Sequence, residues 1–297
     1  MPLSDERQYL YGYVQTVSFY SFIMEIRAKT LDNGHLFVNV DFVSLLEANG
    51  LLRAQDIWKL KDEGVKEVVK ERRTGRIFLS SPNGPKTIET YLKRYTRPPL
   101  SEKIKDILSL KFFKFDALHE WHAQLAFHRI ELPTVIPIAA GKVEGGTFNM
   151  TLGITNYKRA SEVLKKKEGY GQAERDKLIK RIGLYVGKMH SAGIAHQDLY
   201  LVHFFLKGPD MVPHLIDLQR VIKEKKLSDR WRIKDLGELL FSAKPFVTDT
   251  EIDTFCKAYS QAADFDLKRH PRLVKAICKK ANRIEARHRR KTAQDSY

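Results

Sequence analysis

The 297-residue chain predicts a two-lobed α+β fold, strand-rich in its N-terminal lobe and helical in its C-terminal lobe. Three observations point there. Up to residue 155, short runs of β-branched and aromatic residues alternate with turn signals, which is how strands read. Beyond that point apolar residues recur at the spacing of one helix face. The length suffices for two lobes with a cleft between them. The expected division is residues 1–155 for the N-terminal lobe, with 1–55 as an N-terminal extension, and 156–297 for a C-terminal lobe ending in a basic tail.

Taken in order, Val38, Val40, Phe42 and Val43 suggest a short strand, and Ser44 to Ala48 a short helix stopped by Asn49-Gly50. Val65, Val68 and Val69 form one strand run and Ile77, Phe78 and Leu79 the next, with Arg73-Thr74-Gly75 between them. Ser81-Pro82-Asn83-Gly84-Pro85 is a turn. Thr87 to Tyr95 is a strand that carries one lysine, Lys93. Residues 101–129 read as helical, Pro133 and Pro137 flank a short apolar segment, and Phe148 to Ile154 is a further strand. From Ala173 to Ala192 the residues Leu178, Ile182, Tyr185 or Val186, and Met189 keep helical spacing, and Gly193 stops the helix. Ile194 to Phe205 is a compact loop, Pro213 to Leu218 a short strand, and Trp231 to Ser242 a helix; the remainder is helical. Trp121 and Trp231 are expected as core anchors.

Composition narrows the function classes. Lys and Arg number 52 against 36 Asp and Glu, a net charge of +16, which favours an anionic partner. Bases crowd the segment from Lys268 to Lys291, where Glu285 is the one acid. That run is either a solvated helix face or a surface that rests on anionic lipid or substrate. Lys165-Lys166-Lys167 reads as a solvated loop. Nucleic-acid binding would rest on charge alone, since no zinc-finger, helix-turn-helix or aromatic RNA-binding signature accompanies it. No apolar run is long enough to span a membrane, and the N-terminus lacks a signal-peptide pattern, so a cytoplasmic protein is expected. Cys256 and Cys278 have neither zinc-site nor disulfide spacing and read as packed apolar thiols.

The most informative stretch is His196-Gln197-Asp198-Leu199-Tyr200-Leu201-Val202-His203, followed by Leu215-Ile216-Asp217-Leu218. A helix ends, a loop presents Asp198, and a strand then ends on Asp217. Phosphoryl transfer needs two such carboxylates. One orients the attacking hydroxyl and accepts its proton; the other holds Mg²⁺ against the phosphates. An aspartate that closes an apolar strand is costly to bury unless it is paired or metal-bound.

These segments, with Arg230-Trp231-Arg232-Ile233-Lys234-Asp235-Leu236, Tyr91-Leu92-Lys93-Arg94 and Glu120-Trp121, resemble the lipopolysaccharide core heptose kinase family, within the protein-kinase-like superfamily. The resemblance covers roughly residues 60–245 and is strongest in the C-terminal block. It implies a protein-kinase-like fold and an ATP- and Mg²⁺-dependent kinase acting on a sugar hydroxyl, most specifically a heptose, of lipopolysaccharide core. Asp198 would be the catalytic base and Asp217 a Mg²⁺ ligand. Lys93 would bind the ATP phosphates and Glu120 would orient Lys93, with Glu131 as a rival. Thr151 to Ile154, Thr151 and Gly153 included, would be the hinge that meets adenine. His203 would be a metal or phosphate ligand or a packed histidine. His196 and Asp235 would brace the catalytic loop. An anionic glycolipid substrate at the inner face of a membrane would suit the charge.

The departures are specific. Gln197 stands where kinases commonly place arginine, and Leu218-Gln219 replace Phe-Gly. No Gly-x-Gly-x-x-Gly precedes Lys93, and no Ala-Pro-Glu motif lies between Asp217 and Lys234. The short segment after Asp217 disfavours peptide docking and favours a small or lipid-linked acceptor. A kinase for another sugar, lipid or protein, or an inactive kinase-like binding protein, is the alternative.

Overall fold

The computed structural model describes residues 26–69, 72–96, 116–165 and 170–294. Its N-terminal part is a seven-stranded antiparallel sheet of order β1-β2-β6-β7-β5-β4-β3. The strands are β1 (Ala28–Leu31), β2 (Leu36–Asn39), β3 (Glu63–Val69), β4 (Arg72–Ser80), β5 (Thr87–Thr96), β6 (Pro137–Val143) and β7 (Gly146–Leu152). Period-two alternation sorts side chains between the two faces. On β5, Thr90, Leu92 and Arg94 are buried, while Tyr91, Lys93 and Tyr95 share the opposite, half-buried face. Leu92, Phe148 and Met150 close a core with Leu36, Val38, Leu45, Leu46 and Ile57. The last three come from helices α1 (Val43–Ala48) and α2 (Ala54–Trp58). Residues 28–58 are therefore continuous with the sheet and its core rather than appended to them; without them Leu92 and Met150 would face water.

Helix α3 (Ala117–Arg129) covers the other face, its first turn capped by Asp116, whose Oδ1 accepts the His119 N–H at 2.9 Å. The second half begins with β8 (Tyr157–Arg159), which pairs with β10 (Phe204–Lys207) beside β11 (Val212–Leu215). Here lie helices α4 (Ala160–Lys165), α5 (Gln172–Ser191), α6 (Asp229–Ala243), α7 (Asp249–Ala263) and α8 (Pro271–Gln294). A two-stranded pair, β9 (Ile194–Ala195) with β12 (Ile222–Lys223), frames the loop between α5 and β10. Helices α5 and α7 approach closely because α5 carries glycine at the crossing. A Cβ on Gly187 would sit 2.6 Å from the Tyr259 carbonyl oxygen.

Several expected elements move. Arg73-Thr74-Gly75 lie inside β4 rather than between strands. Gly75 is there for space, since a Cβ would meet the Asp62 side chain at 2.0 Å, and Asp62 is clamped by Arg73 and Arg94. The strand near Val38 ends at Asn39, and Val40–Phe42 are a 3-10 turn leading into α1. Strands β1 and β6 go beyond the elements the sequence predicts; Pro137 opens β6 instead of ending a segment. The strand before Asp217 stops at Leu215, and Asp217 itself is left-handed (φ 64°). The helical reading of 101–115 lies outside the described residues, as do Lys166 and Lys167. Trp121 is a core residue, but Trp231 is only half-buried, donating to Glu224 Oε1 at 2.8 Å beneath the Arg230 guanidinium. Cys256 packs at the core edge, whereas Cys278 is exposed on α8, so the packed-thiol expectation fails for it.

Candidate active site

The loop after α5 and β9 is held from behind by one buried carboxylate. Asp235, fully buried on α6, accepts the N–H of His196 at 2.7 Å and the N–H of Gln197 at 2.8 Å. His190, on α5, adds a third contact to Asp235 Oδ2 at 3.2 Å. Gln197 is thereby kept at φ 64°, a left-handed backbone unusual for its type. Glu238 and Ser242, one and two turns further along α6, accept the N–H groups of Leu199 at 3.3 Å and Leu201 at 2.8 Å. Lys234 bridges the Gln197 carbonyl and Glu238. His196 is fully buried and spans to the Ile216 carbonyl at 3.0 Å, tying this loop to the one that carries Asp217. Burial lowers the His196 pKa and keeps the ring neutral, so Nε2–H donates to Ile216 and Nδ1, which has no partner among the described residues, stays a bare acceptor.

Three side chains converge at the front of this frame. Asp198, His203 and Asp217 each offer one ligand atom, and these atoms lie within 4.8 Å of one another. The Asp198 carbonyl sits 2.8 Å from His203 Nδ1, which places the ring proton there and leaves Nε2 as a lone pair. Two carboxylates suit Mg²⁺, and the imidazole makes the set tolerant of Mn²⁺ as well, so these residues fit a divalent cation.

The N-terminal lobe supplies the opposite wall. Lys93 Nζ lies 2.7 Å from Glu120 Oε1 on α3 and 3.1 Å from Asp217 Oδ1. Burial alone would lower the lysine pKa, but Glu120 and Asp217 outweigh it and raise it, so the ammonium is permanent. Burial likewise pushes Asp217 up, and Lys93, Arg72 and His203 overcome that and hold it below the usual carboxylate range. Glu131 takes no part; it makes an exposed pair with Lys188.

Beside this pair sits a group that sequence reasoning had not assembled. Tyr95 OH donates to Gln219 Oε1 at 3.0 Å, and the Arg72 guanidinium donates to the same oxygen. Register could have linked Arg72 to Tyr95, which it faces across β4 and β5, but nothing local announces Gln219 as their acceptor. Thr151, paired with Tyr91 on β5, lies at the end of β7 on the same face as Lys93. The Gly153 N–H is already engaged by the Glu89 carbonyl at 2.8 Å.

Known proteins align with this geometry. A family model described as "Lipopolysaccharide kinase (Kdo/WaaP) family" matches residues 55–259. The lipopolysaccharide core heptose(I) kinase WaaP of Escherichia coli is 31% identical over 257 residues, covering 80% of this chain and 96% of that protein. The enzyme of the same name from Pseudomonas aeruginosa is 29% identical over 157 residues, covering 48% of this chain and 58% of that one. A solved structure titled "WaaP in complex with acyl carrier protein" superposes with a TM-score of 0.64 at 21% identity, over 87% of this chain and 99% of that one. The fold is thus the bilobal kinase-like one, and the chain belongs to the lipopolysaccharide kinase (Kdo/WaaP) family.

Proposed function

We propose that this chain transfers the γ-phosphoryl group of ATP to a heptose hydroxyl of lipopolysaccharide core. The observation that carries the reading is the meeting of the Lys93–Glu120 pair with Asp217 and Asp198 at one cleft. The names of the relatives supply the acceptor class. Asp198 aligns the sugar hydroxyl and takes its proton as the oxygen bonds to the γ-phosphorus and the bond to ADP breaks. Lys93, fixed by Glu120, places a permanent positive charge on the phosphates. Asp217 and His203, with Asp198 beside them, would hold Mg²⁺, which when bound neutralises phosphate charge. Thr151 and Gly153 border adenine; Gly153 does so through its carbonyl, its N–H being spent on Glu89. His196 and Asp235 keep the Asp198 loop in place.

The acceptor's setting fits helix α8. Arg272, Lys275, Lys279, Arg283, Arg287 and Arg290 are exposed and recur every three or four residues, one stripe of about 27 Å. None of them takes part in an ion pair among the described residues. A straight row of unpaired cations matches a plane of anionic head groups. The stripe runs toward the active site through ring contacts, His288 with Phe241 at 6.0 Å, Phe241 with Tyr200 at 6.4 Å and Tyr200 with His203 at 6.2 Å. Among the described residues no helix is long and apolar enough to cross a membrane. The proposed arrangement is a kinase lying on the inner leaflet with α8 against it.

The test is ATP-dependent phosphate transfer to dephosphorylated lipopolysaccharide core, beside a generic protein acceptor, with Asp198→Ala and Asp217→Ala as controls. Labelling of the glycan by wild type alone is the expected result. Labelling of the protein only would overturn the acceptor assignment.

A further inference from the structure

Protein kinases cover the nucleotide phosphates with a glycine-rich hairpin whose backbone N–H groups point at them. This chain has the hairpin, β3 with β4, next to the strand that carries Lys93, but not the Gly-x-Gly-x-x-Gly pattern; its glycines are Gly64 in β3 and Gly75 in β4. Gly75 sits within β4 and makes room for Asp62. Arg72 opens β4. It pairs in register with Tyr95, so it shares the cleft face of the sheet with Tyr95 and Lys93.

The arginine's surroundings suit an incoming anion. Its guanidinium donates to Gln219 Oε1 across the cleft, two residues beyond Asp217. Its Nε is buried and has no hydrogen-bond partner among the described residues. Its charge contributes to holding Asp217 ionised. A guanidinium has five donors in a fixed fork that matches phosphate oxygens. Here it faces a neutral amide oxygen. A carboxylate at 219 would neutralise the charge and compete with phosphate for the fork; an amide orients the side chain and leaves the charge free. Tyr95 OH, donating to the same Oε1 at 3.0 Å, fixes where that amide points.

We propose that Arg72 binds the terminal phosphate of the nucleotide, replacing with one guanidinium the cover that a glycine-rich hairpin gives elsewhere, and that Gln219 parks it while the cleft is empty. The inference rests on the kinase reading above. It makes Arg72 a nucleotide-discriminating residue, sensitive to the third phosphate and indifferent to adenosine.

The experiment is calorimetric titration of the full chain, in Mg²⁺, with ATP, ADP and adenosine, for wild type, Arg72→Met and Arg72→Lys. Arg72→Met should lose about tenfold or more in ATP affinity, the worth of a charge-assisted phosphate contact, with ADP down less than about threefold and adenosine unchanged. Arg72→Lys should recover part of the ATP loss, because it restores the charge without the fork. Equal losses for all three ligands would mean that Arg72 only holds the lobes together, and no loss would mean that it touches nothing; either overturns the proposal. Absence of ATP binding by wild type would instead overturn the kinase reading on which it stands.

Discussion

The two walls of the cleft are built by different means. The C-terminal wall, which presents Asp198, is fixed by backbone N–H groups running into buried carboxylates on α6. The N-terminal wall, which presents Lys93 and Arg72, is fixed by side-chain contacts, Lys93 to Glu120 within the lobe and to Asp217 across the cleft, and Arg72 to the Gln219 amide across it. A buried backbone hydrogen bond to a carboxylate has no competitor, since water cannot reach it. An ion pair at the partly open cleft can exchange its partner for a phosphate. On the proposed reading, the wall that would position a hydroxyl is rigid, and the wall that would take up and release a nucleotide is exchangeable.

Removing Asp235 should break the rigid wall most severely. Asp235→Ala leaves the His196 and Gln197 N–H groups and His190 without their acceptor. Each orphaned buried donor costs about 1–3 kcal/mol, so a loss of roughly 3–5 kcal/mol is expected, with activity abolished. For a chain of this size that is a fall of roughly 5–8 °C in melting temperature, readable by calorimetry alongside phosphate transfer. A variant that melts like wild type would show that the frame is held by something other than Asp235.

Lys93→Met tests the exchangeable wall and should separate the two readouts. Loss of the ammonium should lower kcat by roughly 10²–10³-fold, the usual worth of one preorganised charge at a reacting group. The melting temperature should fall by less than in Asp235→Ala, because Lys93 gives up two side-chain contacts at a partly exposed cleft, whereas Asp235 is the shared acceptor of three buried donors. If stability and activity fell together in both variants, the contrast between the walls would be lost.

Acid should distinguish the walls without mutation. His190, His196 and His214 are buried in the C-terminal lobe, and burial holds each pKa below its ordinary value, His214 at about 4. A group whose folded pKa is depressed contributes stability that is present above its unfolded pKa and lost as the pH falls toward the folded one. The window is therefore from about 6.5 downward to about 4, and His214 alone contributes on the order of 3 kcal/mol across it. Asp217 is depressed from an already low value, so the Lys93 pair survives that window. Amide exchange at pH 5 should thus show protection failing around α5 and β11 before it fails in β5 and β7. Equal loss of protection in both lobes would sink this reading.

How legible each wall was in the sequence follows the same division. The carboxylates of the C-terminal wall could be read because the loop, its aspartate and the bracing aspartate lie within one stretch of chain with helices of clear period on either side. Lys93 was readable as the single lysine of an apolar strand, and Glu120 only through family resemblance, Glu131 being equally plausible by composition. Arg72 and Gln219 were not readable, because their contact joins residues separated by 147 positions and neither belongs to a motif. Strand β6 was missed because Pro137 at its start looks like a break, yet proline at the first residue of a strand loses no ladder bond. Asp217 was placed on a strand because Leu215-Ile216 continue its apolar pattern; only the folded chain shows the left-handed turn that aims its carboxylate at Lys93.

The smallest expected effect lies away from both walls, on α8. Arg287 is exposed, one residue before His288, whose ring meets Phe241 beside the catalytic loop. Arg287→Gln removes a charge that makes no ion pair among the described residues, so stability should stay within about 0.5 kcal/mol of wild type. Binding to vesicles of mixed neutral and anionic lipid should weaken by about 1 kcal/mol, roughly fivefold, at low salt, and the difference should shrink as added salt screens the surface. Turnover of a short, soluble core oligosaccharide should not change, since that acceptor needs no leaflet. A variant that binds vesicles as wild type does, yet turns over the soluble acceptor poorly, would place Arg287 in the acceptor site itself. The stripe would then be an extension of the exchangeable wall and not a separate resting face.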